Sequence, residues 1–72
     1  MADHYSINIK PPLTRPGGES DWEFGEVRAS TDEEAIKVVE ENEVVWARKK
    51  GRPTEIWLFG GERLVKKWSV RP

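Results

Sequence analysis

The side chains in this 72-residue chain that could do chemistry are one histidine, a surplus of carboxylates and a set of cations spaced between aromatic rings. His4 stands beside Asp3 with no second histidine and no cysteine anywhere. Zinc needs several convergent nitrogen or sulfur ligands, so no metal site is expected. The lack of cysteine also excludes disulfides and a thiolate nucleophile. A serine-histidine-aspartate relay would have His4 alone to draw on. Glu23 and Glu26 are close in sequence, yet nothing nearby marks them as an acid/base couple. Most other carboxylates fall on a wet helix face or beside turns, where nothing raises a pKa toward neutrality. Gly17-Gly18 lacks the strand, lysine and helix of a phosphate loop. These residues describe a non-enzyme without a cofactor.

The cations are the next candidates. Through Asn42 the chain has ten acidic and four basic residues, a balance of −6, and from Glu43 onward three acidic and eight basic, a balance of +5, which sum to the net −1. Arg48, Lys49, Lys50, Arg52, Lys66 and Lys67, with Arg63 and Arg71, interleave with Trp46, Trp57, Phe59 and Trp68. Single-stranded nucleic acid requires such a mixture, because phosphates need cations and unstacked bases need flat apolar rings. Lysine and arginine on exposed strands equally serve to block edge aggregation. Lys50-Gly51-Arg52-Pro53 resembles the Gly-Arg-Pro centre of an AT-hook, with lysine in place of the motif's first arginine. That resemblance implies an extended segment in the minor groove of A·T-rich DNA, whereas Gly and Pro between two strands are ordinary turn residues.

The elements that must position these groups follow from periodicity. Ser30 and Thr31 are N-cap candidates, and Thr31 with Glu34 fits the reciprocal capping box. Asp32, Glu33 and Glu34 suit the positive end of the helix dipole. Ala35, Ile36, Val38 and Val39 share one side at 100° per residue, opposite Glu33, Glu34, Lys37, Glu40 and Glu41, so a helix is predicted to Asn42. Before it, Tyr5, Ile7 and Ile9 alternate with polar residues as a first strand that stops at Pro11 and Pro12. Residues 11–20 are rich in Pro and Gly and read as a mobile surface loop. Trp22 to Ala29 is a second strand, hairpin-paired with the first, and a bulge at Gly25 would bring Trp22, Phe24, Val27 and Ala29 to one side. After the helix, Val44 to Arg48, Ile56 to Phe59 and Glu62 or Arg63 to Val70 read as three strands. A two-residue Gly60-Gly61 turn would oppose Phe59 to Glu62, Trp57 to Leu64, Ile56 to Val65 and Glu55 to Lys66. The expectation is one α+β domain, a two-layer sandwich of a mostly antiparallel sheet of four to five strands on one helix.

That layout leaves oily surface over. Val44 and Trp46 oppose Val45 and Ala47, and Ile56 and Leu58 oppose Trp57 and Phe59, so both faces of those strands are apolar while one helix covers one face. A small core of this size also needs dense aromatic packing or a partner subunit. The chain therefore reads as a binding module in which Trp22, Trp46, Trp57, Phe59 and Trp68 anchor a protein partner or a second copy. Nucleic-acid binding by the basic C-terminal meander is the alternative. The apolar runs are too short to span a bilayer, and the first residues lack a secretion signal, so a cytoplasmic protein is expected. The strand-helix-meander layout is similar to that of many small phage-encoded or mobile-element accessory proteins.

Overall fold

The computed structural model describes residues 4–71. Strands β1 (His4–Lys10) and β2 (Glu23–Arg28) precede a helical rod, and β3 (Thr54–Gly60) and β4 (Arg63–Val70) follow it. The strands form one antiparallel sheet in the order β2-β1-β3-β4. The rod packs against one face of this sheet, giving the expected α+β two-layer sandwich.

Alternation along β1 translates directly into layers. Tyr5, Ile7 and Ile9 are buried under the rod, and cross-strand pairing places Val27, Gly25, Ile56 and Leu58 on the same side. Ile9, Ile56 and Leu58 have almost no accessible surface. The buried start of the loop joins this core: Pro11, Pro12 and Leu13 are covered, and Leu13 belongs to the main cluster. The Lys10–Pro11 peptide is cis.

The helix starts as its cap predicts. Thr31 Oγ1 accepts a hydrogen bond from Glu34 N at 3.1 Å, and Asp32, Glu33 and Glu34 fill the first turn. It does not stop at Asn42. Segment α1 (Asp32–Val39) passes through a π-helical turn (Glu40–Val44) into α2 (Val45–Lys50), so the expected strand from Val44 to Arg48 is helix and the sheet has four strands. Sequence period explains why this was hard to see. In an unbroken α-helix, five residues turn through about 500°, which would leave Val44 roughly 140° from Val39. A π turn uses one more residue, and it brings Val44 and then Ala47 onto the line of Ala35 and Val39. All four are buried, while Ile36 and Val38 flank them. Asn42 Nδ2 donates to Val38 O at 2.7 Å where the backbone ladder changes step. Gly51 then closes the rod with φ +71, the left-handed conformation that glycine adopts without a Cβ penalty.

Two further expectations are corrected. β1 and β2 pair without interruption from His4↔Arg28 to Ile9↔Glu23, so Gly25 is no bulge. It lies opposite Ile7, where a Cβ would approach the isoleucine side chain to 3.2 Å, and the missing side chain makes room for Ile7. Val27 and Ala29 face the core while Phe24 points away from it, 72% exposed. In the β3–β4 hairpin, Gly60 pairs with Arg63, which leaves Gly61-Glu62 as the two-residue connection, with Gly61 at φ +66. The register then slips by one between Phe59↔Leu64 and Leu58↔Lys66, and Val65 is the extra residue. Trp57 therefore opposes Lys67, Ile56 opposes Trp68 and Glu55 opposes Ser69, rather than Leu64, Val65 and Lys66.

Candidate functional site

The slip in β4 and the straight pairing of β2 decide what the uncovered face of the sheet presents. Side chains alternate across a strand, so the partners of Asn8 and Ser6 share their side. From edge to edge, one row holds Phe24, Asn8, Trp57 and Lys67, and the next holds Glu26, Ser6, Phe59 and Leu64. Trp22 precedes β2 and leans inward: its ring meets that of Trp57 edge-on at 5.7 Å, and Trp57 lies 6.3 Å from Phe59. The three rings make a continuous strip across the centre of the sheet. Trp57 Nε1 donates to Glu55 Oε1 at 3.2 Å, so its one polar atom is satisfied from its own strand.

Lysines stand at the rim of this strip. Lys10 Nζ lies 5.4 Å from the centre of the Trp22 ring and Lys67 Nζ 5.5 Å from that of Trp57, distances at which a cation is attracted to the ring face. Glu26 and Glu55 add negative charge and Arg28 positive, so the face carries both signs in near balance. Past Lys10 and Ser69 it opens into a cleft of about 310 Å³ that reaches Arg52 and Arg71.

The anchors expected from sequence separate into two groups. Trp22, Trp57 and Phe59 meet on the open face. Trp46 does not, because it lies on α2, 40% exposed, with Lys50 Nζ 5.2 Å from its ring centre. Trp68 is on the rod side, packed against the core, where its Nε1 donates to Glu40 Oε2 at 3.2 Å. Phe24 and Leu64 complete the open face and were missed. Phe24 comes outward because β2 runs without the expected bulge at Gly25, and Leu64 because it pairs with Phe59.

The basic residues do not form one meander surface. Arg48, Lys49 and Lys50 occupy the last turn of the rod, where cations compensate the negative end of the helix dipole. Arg52 donates from its guanidinium to Pro12 O, tying the end of the rod to the proline segment. Lys66 Nζ sits 3.4 Å from Glu40 Oε2 on the rod side, and of the six only Lys67 lies on the open face. The AT-hook likeness also loses its geometry, since Gly51 is a left-handed helix cap rather than the centre of an extended segment.

The carboxylates are structural by their contacts. Asp32 accepts from Tyr5 Oη at 2.7 Å and pairs with Arg63 at 3.0 Å, and the bonds from Arg63 and then Tyr5 hold it below its ordinary pKa. Glu40 is lowered by the Trp68 hydrogen bond, against some desolvation, with help from Lys66 and Arg48. Burial pushes against Glu23, but bonds from the Thr14 hydroxyl, the amides of Leu13 and Thr14, and the charge of Arg15 leave it lowered. Among the described carboxylates Glu43 alone is raised, first by desolvation and then by Glu23. Glu23 and Glu26 project from opposite faces of β2 and cannot work as a couple. Among the described residues no cluster of metal-ligating side chains occurs, and no helix is long and apolar enough to cross a membrane. No protein-family model, curated protein or solved structure matches the chain.

Proposed function

We propose that this protein is a small binding module without catalytic chemistry, and that it works by docking the open aromatic face of its sheet onto a protein surface. The observation that carries this reading is the strip Trp22, Trp57 and Phe59 with Phe24 and Leu64 beside it. These side chains lie on the layer that the rod leaves uncovered, and Phe24 is 72% exposed. Aromatic rings at the centre with charges confined to the rim are the composition of protein-docking patches. The core beneath is complete without them, since the cluster under the rod contains none of these five residues.

Charge argues for protein over nucleic acid. Affinity for a polyanion grows with the number of phosphates that cations neutralise. On the open face Lys10, Arg28 and Lys67 are offset by Glu26 and Glu55, and the densest cationic run lies at the end of the rod in the other layer. The test is capture of bound protein from a native extract at about 0.5 M salt, comparing the wild-type chain with Trp57→Ala and Phe59→Ala. Loss of capture in both variants, with their circular dichroism unchanged, supports the reading. Equal capture by all three overturns it, and so does a salt-sensitive oligonucleotide shift that needs Lys10 and Lys67.

A further inference from the structure

We infer that the occupant of the open face is a second copy of this chain, packed sheet on sheet about a two-fold axis that crosses the strands between the Trp57 and Phe59 rows. This inference rests on the docking role proposed above and names the partner. The first support is area. Four strands at ~4.8 Å and seven residues at ~3.3 Å span about 19 by 23 Å. Allowing for side-chain relief, that is roughly 600 Å² of accessible surface per copy and about 1,200 Å² in all, the lower bound of a specific interface. The face is large enough for a second sheet of its own size.

The second support is self-complementarity. An isologous contact requires one patch to match itself. An axis across the strands lays each strand over its own counterpart, so β3 meets β3 and β1 meets β1. Row matching then sets Trp57 of one copy against Phe59 of the other, twice, and Asn8 against Ser6. Phe24 and Glu26 face one another, as do Lys67 and Leu64, while Arg28 meets the row of Trp22 as a cation to a ring. No lysine or arginine of the open face is set against another, and no glutamate against another. An axis along the strands at the centre of the sheet, between β1 and β3, would instead press Trp57 onto Asn8 and Phe59 onto Ser6, setting apolar rings on polar side chains. Burying ring against ring is worth more than any rim ion pair, so apolar matching selects the first axis. Aligned sheets in such sandwiches differ by about 30° in strand direction, which the twist of each sheet supplies.

The chain has no cysteine, so introduced thiols are unique probes. Sedimentation equilibrium from 5 to 500 µM is expected to show a monomer–dimer equilibrium. Trp57→Ala and Phe59→Ala should each weaken it at least tenfold, and Trp46→Ala should leave it unchanged. A short thiol cross-linker should join Asn8→Cys to Ser6→Cys in a mixture better than it joins Ser6→Cys to a second Ser6→Cys chain. A strictly monomeric wild type, or a dimer indifferent to Trp57→Ala and Phe59→Ala, overturns the inference. So does the reverse cross-linking preference. A monomer that still captures a different protein through Trp57 overturns the second copy while the docking role stands. Capture unaffected by either ring removes the docking role itself.

Discussion

Val44 and Val45 are adjacent and chemically identical, yet the rod gives them opposite fates, which makes them the sharpest probe of the π turn. Val44 is 5% exposed and Val45 42%. Truncating Val44 to alanine removes two methyl groups from the core, about 1.6 kcal/mol of transfer free energy at ~0.8 per carbon. A cavity that fails to collapse adds up to ~1 kcal/mol, and the better helix propensity of alanine returns ~0.5. The net loss is about 1–2 kcal/mol. At Val45 over a third of the side chain is already wet, and the propensity gain offsets much of what remains, so Val45→Ala should stay within ~0.5 kcal/mol of wild type. Urea unfolding followed by tryptophan fluorescence measures both. With a slope near 1 kcal/mol/M for a domain of this size, Val44→Ala should move the midpoint down by about 1–2 M and Val45→Ala by less than 0.5 M. In thermal unfolding the first should lose about 6–12 °C. Both shifts should be the same at every protein concentration, because the rod lies opposite the open face. An equal or larger loss at Val45 would mean that the helix does not shift its face at Glu40–Val44, and the assignment of Val44 and Ala47 to the core would fail.

Gly51→Ala should cost about 1 kcal/mol through its left-handed backbone alone, since no atom lies within 4 Å of the added Cβ, whereas Gly18→Ala, equally open, should be near neutral. Both are read from the same urea curves. Thr31→Ala removes the acceptor of the Glu34 amide and should cost about 1 kcal/mol, with Thr31→Ser largely restoring it. The two coupled glutamates predict opposite pH dependences. Glu43 has a raised pKa, so above that value it is a desolvated charge facing Glu23, and stability rises as pH falls through it; Glu43→Gln should therefore stabilise the protein at pH 7, with the gain vanishing in acid. Glu23 has a lowered pKa, so its contribution is full above the ordinary glutamate value and lost as pH falls through the folded one. Glu23→Ala should cost about 1 kcal/mol at pH 7 through the lost bonds to Leu13 and Thr14, and less at pH 3, in urea titrations at the two pH values.

The parts of the fold set by local rules were legible. The Thr31 cap with its acidic first turn, the alternation of Tyr5, Ile7 and Ile9, and the β1–β2 hairpin all follow from contacts within a few residues or from period two. What escaped depends on a change of step. Val39 and Val44 are five apart, which matches no α period, so Val44-Val45-Trp46-Ala47 looked like a buried strand although Arg48, Lys49 and Lys50 are good helix formers. The extra residue at Val65 has no sequence mark at all, and it decides that Lys67 faces outward beside Trp57 while Trp68 turns to Glu40. Of the aromatic strip, Trp57 and Phe59 could be read from the double-sided apolar pattern of the later strands. Phe24 was obscured by the bulge expected at Gly25, which would have brought it to the side of Val27 and Ala29.

The extension of the rod makes the case for an occupied open face stronger than the sequence pattern suggested. With Val44 and Ala47 taken into the core by the helix, the rod covers the inner face from Ala35 to Ala47, and β3 fills that face with Ile56 and Leu58. Among the described residues no second element roofs the outer face, because residues 11–13, the buried part of the loop, are spent on the inner core and anchored there by Glu23. From that region Trp22 reaches the outer side, where it meets Trp57 edge-on and leaves Phe24 bare. A sheet with one wet face normally alternates apolar inward and polar outward. Here Asn8 and Ser6 on β1 obey that rule, while Trp57 and Phe59 on the neighbouring strand break it at the same height. The violation is local to the strip, it contributes nothing to the buried cluster, and of its rings Phe59 has no polar atom while Trp57 Nε1 is already bonded to Glu55. Removal from water by another surface would add to what those half-buried rings gain from one another, at about 25 cal/mol per Å² of apolar area covered.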